Sequence, residues 1–304
     1  MQMNKKILFL LSVCTVFFLH PFLQSGEKNK QKSYKYELAV CAVFQNEAAY
    51  MKEWIEFHKL VGVEHFFLYN DQSADDYLSV LEPYIRAGEV ELIQCPPKPD
   101  DTLPSYEVLQ AGAFMDCLHK QRNSVKWMAF IDLDEFLFAT QVDDLRVFLK
   151  DYIDHPAIAV NWQMFGTSDV PFIPADKLMI EMLVNQSKVN FHRNRWVKCI
   201  VQPALTTEVF NPHLFFYVKK KKAVNSDFEK VKGYRSKRIV VDKIRINHYY
   251  TRDVEHFLTV KVPRRLKLSD MYEAWLQEVG EMNEVYNGEI LRFVPALKEK
   301  TGLE

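Results

Sequence analysis

Three acids interrupt one of the most apolar stretches of this chain. In "WMAFIDLDEFLF", Trp127 to Phe138, the residues Asp132, Asp134 and Glu135 stand between Met128-Ala129-Phe130-Ile131 and Phe136-Leu137-Phe138. Carboxylates are costly to bury without partners. Two aspartates at i and i+2 on extended backbone point to the same side, and both stay ionised only with a cation close by. Hard carboxylate oxygens suit Mg²⁺ or Mn²⁺, and such an ion bridging to phosphate oxygens is the simplest cation that would serve. As a bare pattern Asp-x-Asp is weak, because most instances are solvated acids in loops. Its place at the end of an apolar strand strengthens it.

The elements that must hold these acids can be read on either side. "ELAVCAVF", Glu37 to Phe44, is an apolar strand; "NEAAYMKEWIEFHKLVG" follows with Met51, Trp54, Ile55, His58 and Val61 at helical spacing and Gly62 as the stop. "EHFFLYND" is a second strand. "SADDYLSVLEPYIRAG" is a second helix, with Ser73 and Asp76 as a capping box, Leu78, Leu81 and Ile85 on one face, and Gly88 at the end. "VELIQC", "SYEVLQAGAFMDCLHKQ" and "VKWMAFID" continue as strand, helix and strand. Such alternation predicts an α/β fold with a mostly parallel sheet covered on both faces. Ligands bind beyond the carboxyl ends of strands in such sheets, which is where the acids stand. The other strand ends carry Gln45-Asn46-Glu47 and Asn70-Asp71-Gln72-Ser73 in place of a glycine-rich phosphate loop. Those side chains suit a base and ribose, and Asn46 and Ser73 also suit helix capping.

Taken in order, "CAVFQNEAAYMKEWIEFHKLVGVEHFFLYNDQSADD", "WMAFIDLDEFL", "FGTSD" and "INHYYTRDVEHFLTVK" resemble the segments of glycosyltransferase family 92, over roughly Tyr36 to Arg265. Each segment is short, but together they are specific. The resemblance implies the Rossmann-like GT-A fold of the related family 2 enzymes. It also implies a UDP-sugar donor (UDP-galactose in several members), a divalent metal and inversion at the anomeric carbon. Carried over by position, Glu47 and Asp71 would contact uridine, and Asp132 would lie near ribose and metal. Asp134 would be the direct carboxylate ligand and His248 would complete the metal site. Lys198 and Lys261 would neutralise the departing pyrophosphate. Inverting transfer needs a carboxylate base for the acceptor hydroxyl. Asp169, just after the strand in "NWQMFGTSDV", is the expected base, although the family pattern has a glycine there; Glu208 and Asp242 are the other candidates.

The resemblance and the chain pattern divide the sequence into four parts. Residues 1–23 are a signal-anchor or signal peptide and 24–35 a linker. Residues 36–268 are the GT-A domain, and 269–304 a C-terminal extension of two amphipathic helices. In the first part Lys5-Lys6 precedes the apolar run Ile7 to Leu23, which is broken by His20-Pro21 and lacks a clean cleavage site. A single-pass membrane anchor is the expectation, with export after cleavage as the alternative.

Composition bounds the rest. The chain has 304 residues, 48% hydrophobic and 26% charged, with 39 basic against 40 acidic side chains. That balance gives no global field toward nucleic acid; the partners that the resemblance implies are a nucleotide-sugar donor and a glycan or glycoconjugate acceptor. Cys14, Cys41, Cys95, Cys117 and Cys199 have no zinc-ligand spacing, and Cys41, Cys95 and Cys199 read as buried free thiols. Lys219 to Lys222 read as a solvated turn between strands, contact with an acidic polymer or lipid headgroup being the sharper alternative. Asn185-Gln186-Ser187 is a glycosylation sequon. Two other readings of the acids compete. A phosphohydrolase is disfavoured because its acid-bearing strand comes first in the domain, whereas here it comes fourth. A non-catalytic carbohydrate- or nucleotide-binding protein of the same fold is opposed by the complete Asp-x-Asp pair and His248.

Overall fold

The structure, a computed structural model, describes residues 33–95, 106–266 and 272–303. The expected anchor and most of the linker lie outside them. Everything below concerns the compact unit from Tyr34 to Glu304. Among the described residues no helix is long and apolar enough to cross a membrane.

Strand β1 (Tyr36–Phe44) is the centre of the sheet because it is apolar on both faces. Leu38, Val40, Ala42 and Phe44 face one core, while Ala39, Cys41 and Val43 face another. A strand covered on both sides needs such a continuous run. Helices α1 (Ala48–Leu60) and α2 (Tyr77–Arg86) cover the first face, with Trp54 and Leu81 fully buried. Helix α3 (Tyr106–Gln121) covers the second through Phe114 and Cys117. Gly62 ends α1 at φ 98°, a backbone that a side chain would strain, with Asp144 packed where a Cβ would go.

Strands β2 (His65–Asn70), β3 (Val90–Gln94) and β4 (Val125–Phe130) join β1 in the order β3-β2-β1-β4, all parallel. These are the first four of the six positions in the Rossmann order. The parallel pattern stops there. After β4 the chain turns through residues 131–134 and re-enters at once as β5 (Glu135–Ala139), with no helix to carry it back. The next strands are therefore mixed: β6 (Ala157–Met164) and β7 (Val197–Val201) pair antiparallel, and β7 pairs antiparallel with β4. β8 (Ile244–His248) lies between β5, antiparallel, and β6, parallel.

Two local expectations need correction. Leu78 and Ile85 do not share the buried face of α2; they are 52% and 38% exposed, and Tyr77, Leu81 and Tyr84 face the core instead. Nor does a capping box form on α2. Ser73 Oγ accepts the Asn46 N–H at 2.9 Å, Asn46 Oδ1 accepts the Ala74 N–H at 2.7 Å, and Asp75 accepts the Ala48 N–H at 2.7 Å. The loops after β1 and β2 cap each other, because adjacent parallel strands deliver them side by side.

The C-terminal part contains a helical run over 254–266 whose middle, Phe257–Lys261, is a π-helical turn. Helix α4 (Tyr272–Glu281) packs Trp275 and Val279 beside Phe257, and α5 (Val294–Thr301) lies on α1, where Lys52 Nζ donates to the Thr301 carbonyl at 2.6 Å. Cys41, Cys95, Cys117 and Cys199 are free and buried. Ser187 of the sequon is fully buried, and Asn185-Gln186 forms a strand pair with Val285–Tyr286.

Candidate active site

The opening acids divide into two groups, each with its own cation. Because the chain turns at 131–134, Asp132 and Asp134 do not share one side of a strand as expected. Asp132 accepts from Lys198 Nζ at 2.9 Å and from the Gln110 amide of α3. Lys198 comes from β7 and is 1% exposed, so it is a buried counter-ion and not a solvated lysine. Burial disfavours its charge, but Asp132 and then Glu135 more than restore it, and its pKa lies above the ordinary lysine value. Glu135 opens β5, fully buried, and its carboxylate accepts the Asp132 N–H at 2.9 Å. Burial pushes the Glu135 carboxyl well above its usual range, against the pull of Lys198 3.8 Å away. Glu135 thus fastens the turn that carries both aspartates.

Asp134 faces the other way. Its carboxylate lies 3.2 Å from Lys261 Nζ and 3.4 Å from His248 Nε2. The β5–β8 pairing places His248 opposite Glu135, and the Tyr249 N–H closes on the Asp134 carbonyl at 2.8 Å. Burial alone would raise the Asp134 carboxyl. Lys261 and then His248 outweigh it and hold the group well below the carboxylate range. The His248 ring rests 4.4 Å from that of Trp162.

A third cation, Arg252, was not singled out from the sequence, although it sits inside the "INHYYTRDVEHFLTVK" segment. It is 1% exposed, pairs with Glu47, and stacks its guanidinium 3.7 Å from the centre of the Tyr50 ring. Its backbone is left-handed, φ 56°, a conformation that costs a non-glycine residue about 1 kcal/mol. Burial raises the Glu47 carboxyl and Arg252 pulls it part of the way back. Gln45, Asn46, Glu47, Tyr50, His256 and Lys261 line a cleft of about 360 Å³ at the carboxyl edge of the sheet. A larger one, about 630 Å³, opens at the opposite edge between Tyr36, His65 and Val90. The first is at the strand ends where α/β sheets bind ligands, and it adjoins the acids.

The remaining expected residues scatter. Asp71 ends β2 fully buried, its N–H on the Phe44 carbonyl and its own carbonyl held by the Gln45 amide at 2.8 Å. Asp169 is exposed on the turn after β6 and makes no hydrogen bond or ion pair to the Asp134 group among the described residues. Glu208 and Asp242 are exposed as well. The expected metal set of Asp132, Asp134 and His248 is also only partly assembled. Asp134 and His248 offer a carboxylate and an imidazole side by side; the carboxylate suits Mn²⁺ or Mg²⁺, and the imidazole favours the softer transition ion of the two. Asp132 is turned away to Lys198 and Gln110, and among the described residues no three His, Cys, Asp or Glu side chains converge. The pair fits an ion; the trio does not.

The model of glycosyltransferase family 92 matches residues 35–283. This chain belongs to glycosyltransferase family 92. A family 92 protein of Ricinus communis is 26% identical over 238 residues, covering 74% of this chain and 37% of its own length. Galactan beta-1,4-galactosyltransferase GALS2 of Arabidopsis thaliana is 27% identical over 135 residues, 41% of this chain and 26% of its own. Beta-1,4-galactosyltransferase galt-1 of Caenorhabditis elegans is 25% identical over 188 residues, 58% of this chain and 42% of its own. The chain spans about a third of the length of the first of these curated relatives. Among solved structures, S. aureus TarS 1-349 in complex with UDP is similar at 16% identity and a TM-score of 0.34, over 55% of this chain and 47% of that one, too distant to carry an inference. With family membership in place, the Rossmann-like sheet is the GT-A-type fold that the sequence led us to expect.

Proposed function

We propose that this family 92 chain transfers a hexosyl group, galactose favoured, from a UDP-sugar to a glycan or glycoconjugate acceptor, with inversion and with Mn²⁺ or Mg²⁺. The meeting of Asp134, His248 and Lys261 at the carboxyl edge of the sheet carries this reading. A carboxylate with an imidazole 3.4 Å from it and an ammonium group 3.2 Å from it supplies a metal donor pair and a cation for a diphosphate. Galactosyltransferase names among the relatives favour galactose.

In this reading Asp134 and His248 would hold the ion, which would supply Lewis-acid charge to the departing diphosphate. Lys261, 3.2 Å from Asp134, would share the phosphate charge, and Lys198 pairs with Asp132 on the ribose side. Glu47 and Asp71 take the uridine side, at the ends of β1 and β2. Asp169 receives the acceptor proton. Ser168 and Asp169 are consecutive left-handed residues, φ 51° and 56°, and such stored strain clusters at functional sites. Their turn is tied to the start of the 254–266 run by the Val254 N–H on the Val170 carbonyl, 2.9 Å. The apolar segment of residues 7–23 would hold the enzyme to a membrane as a single-pass anchor, and carbonate extraction of expressing cells would test that.

The deciding experiment is UDP release from UDP-galactose and other UDP-sugars, with acceptor glycans, in Mn²⁺ and in EDTA. Metal-dependent release with galactose transferred is the expected result. No release from any UDP-sugar would overturn the reading.

A further inference from the structure

We propose that the edge of the sheet around Phe210, Phe216 and the lysine run 219–222 is a docking surface for an anionic lipid bilayer. The hairpin Thr206–Asn211 and Leu214–Tyr217 has two apolar faces. Inward, Val209, Phe215 and Tyr217 are buried in the second core. Outward, Phe210 and Phe216 are 61% and 37% exposed, with ring centres 5.9 Å apart. Two phenylalanines facing solvent on one small hairpin are a surface kept apolar, and the chain passes from Phe216 into Lys219-Lys220-Lys221-Lys222 within three residues.

The lysines gather from two directions. The short strands Ala223–Val224 and Lys230–Val231 pair antiparallel with Ala223 opposite Val231, so Lys222 and Lys232 flank the same pair. Both line one groove with Leu214 and Tyr217 of the hairpin. Among the described residues none of Lys219, Lys220, Lys222, Lys230 and Lys232 pairs with an acid, and Lys221 reaches only the Asp154 carbonyl at 3.3 Å. Lysines elsewhere, such as Lys59, Lys120, Lys126 and Lys188, have acidic partners. The nearby acids Asp227 and Glu229 are taken up by Arg238 and Lys243. Glu208, opposite Phe216, is the one carboxylate on the outward hairpin face. A cluster of like charges left unbalanced, in a protein of net charge −1, asks for an external anion. The exposed aromatic pair selects a bilayer over a soluble polyanion, since rings at the headgroup level and lysines toward anionic lipid form a two-part membrane signal.

The test uses the full chain and sedimentation with sucrose-loaded vesicles of phosphatidylcholine alone or mixed with phosphatidylserine. The apolar N-terminal segment would bind both, so the quantity read is the added partition on phosphatidylserine. Each lysine near such a surface contributes about fivefold, so Lys219→Gln/Lys220→Gln/Lys222→Gln should cut that added partition by on the order of 100-fold and leave the phosphatidylcholine arm unchanged. Phe210→Ser should also lower it, with little change in melting temperature because that ring is 61% exposed. Equal binding of the wild type to the two vesicle types, or an increment that survives the lysine changes, would overturn the proposal. So would heparin binding that needs the lysines while the phenylalanine variant binds vesicles like wild type, because the partner would then be an acidic polymer.

Discussion

Asp134 and His248 face each other across 3.4 Å because β5 and β8 pair antiparallel with His248 opposite Glu135. The register of the two strands sets His248 beside the turn that carries Asp134. Asp134→Asn keeps the shape and removes the charge. We expect it to abolish UDP release, a loss of several kcal/mol of transition-state stabilisation, while the folded state persists. His248→Ala should leave partial activity and raise the Mn²⁺ concentration needed. Near-wild-type turnover of Asp134→Asn in saturating Mn²⁺ would remove the central role of this carboxylate.

Ligands should report the same site without turnover. Binding to the folded state alone stabilises by about 2.7 kcal/mol at a hundredfold excess over Kd. UDP and Mn²⁺ together should therefore raise the melting temperature beyond either alone, and His248→Ala should shrink that gain. An unchanged melting temperature at saturating concentrations would speak for a purely structural acid cluster.

Asp71 is expected to act on the base and not on the ion. Calorimetry of Asp71→Ala should show weaker UDP binding in both Mn²⁺ and EDTA, with the ratio between them preserved. Equal wild-type affinities for UDP, GDP and CDP would sink the uridine assignment.

Arg252 should matter to the fold as much as to the site. Removing one partner of a buried ion pair costs about 3 kcal/mol, so Arg252→Met should lower unfolding stability by that order. The double variant Glu47→Gln/Arg252→Met should lose less than the sum of the two single changes. Additive losses in denaturant titrations would mean that the pair does not couple. Arg252→Lys should fall between, since a lysine keeps the charge but not the planar stack on Tyr50.

Stability should fall as the solution is acidified below about pH 6.5. Burial pushes His58 and His213 down to about 3. His58 is held neutral by geometry too, with Nδ1 on the Trp54 carbonyl at 2.8 Å and Nε2 accepting the Leu137 N–H at 3.3 Å. Between about pH 6.5 and the folded value, the unfolded chain takes protons that the native state refuses, at about 1.4 kcal/mol per histidine per pH unit. Glu53 opposes this: burial raises it to about 7, so its contribution grows as pH falls toward its unfolded value. His65, lowered by burial to about 4, and His256, lowered by burial to about 3, add to the loss, while the buried carboxyls of Glu47 and Glu135, also raised, add to the opposition, so four histidines against three carboxylates leave a net decline. Urea titrations giving a flat or rising profile from about pH 6.5 to about pH 4.5 would contradict it.

Much of the sheet was legible because it depends on runs of residues. β1 through β4 and the helices between them follow from apolar periodicity and glycine stops, and the C-terminal edge followed from topology. What failed was whatever depended on a single turn or a distant partner. Asp132 and Asp134 were read on extended backbone, yet the chain turns between them and sends them to Lys198 and Lys261, which are remote in sequence. The face of α2 was misread because Tyr77 and Tyr84, with polar hydroxyls, fill the core where Leu78 and Ile85 had been expected. Arg252 lacked any local mark, since its partners Glu47 and Tyr50 enter the fold some two hundred residues earlier. Only its place beside His248 in one segment could have raised it.

The π-helical turn at Phe257–Lys261 gives the chain a mechanical vulnerability. Such a turn amounts to one residue inserted into an α-helix, and each helical residue advances the side chain by about 100°. The insertion lets Phe257 sink against Trp275, ring centres 5.4 Å apart, while Lys261 still points at Asp134. Deleting Thr259 would restore an even helix. Phe257 or Lys261 could then keep its place, but not both, and a one-residue shortening far smaller than any domain change would uncouple the hydrophobic anchor from the ammonium group it aims.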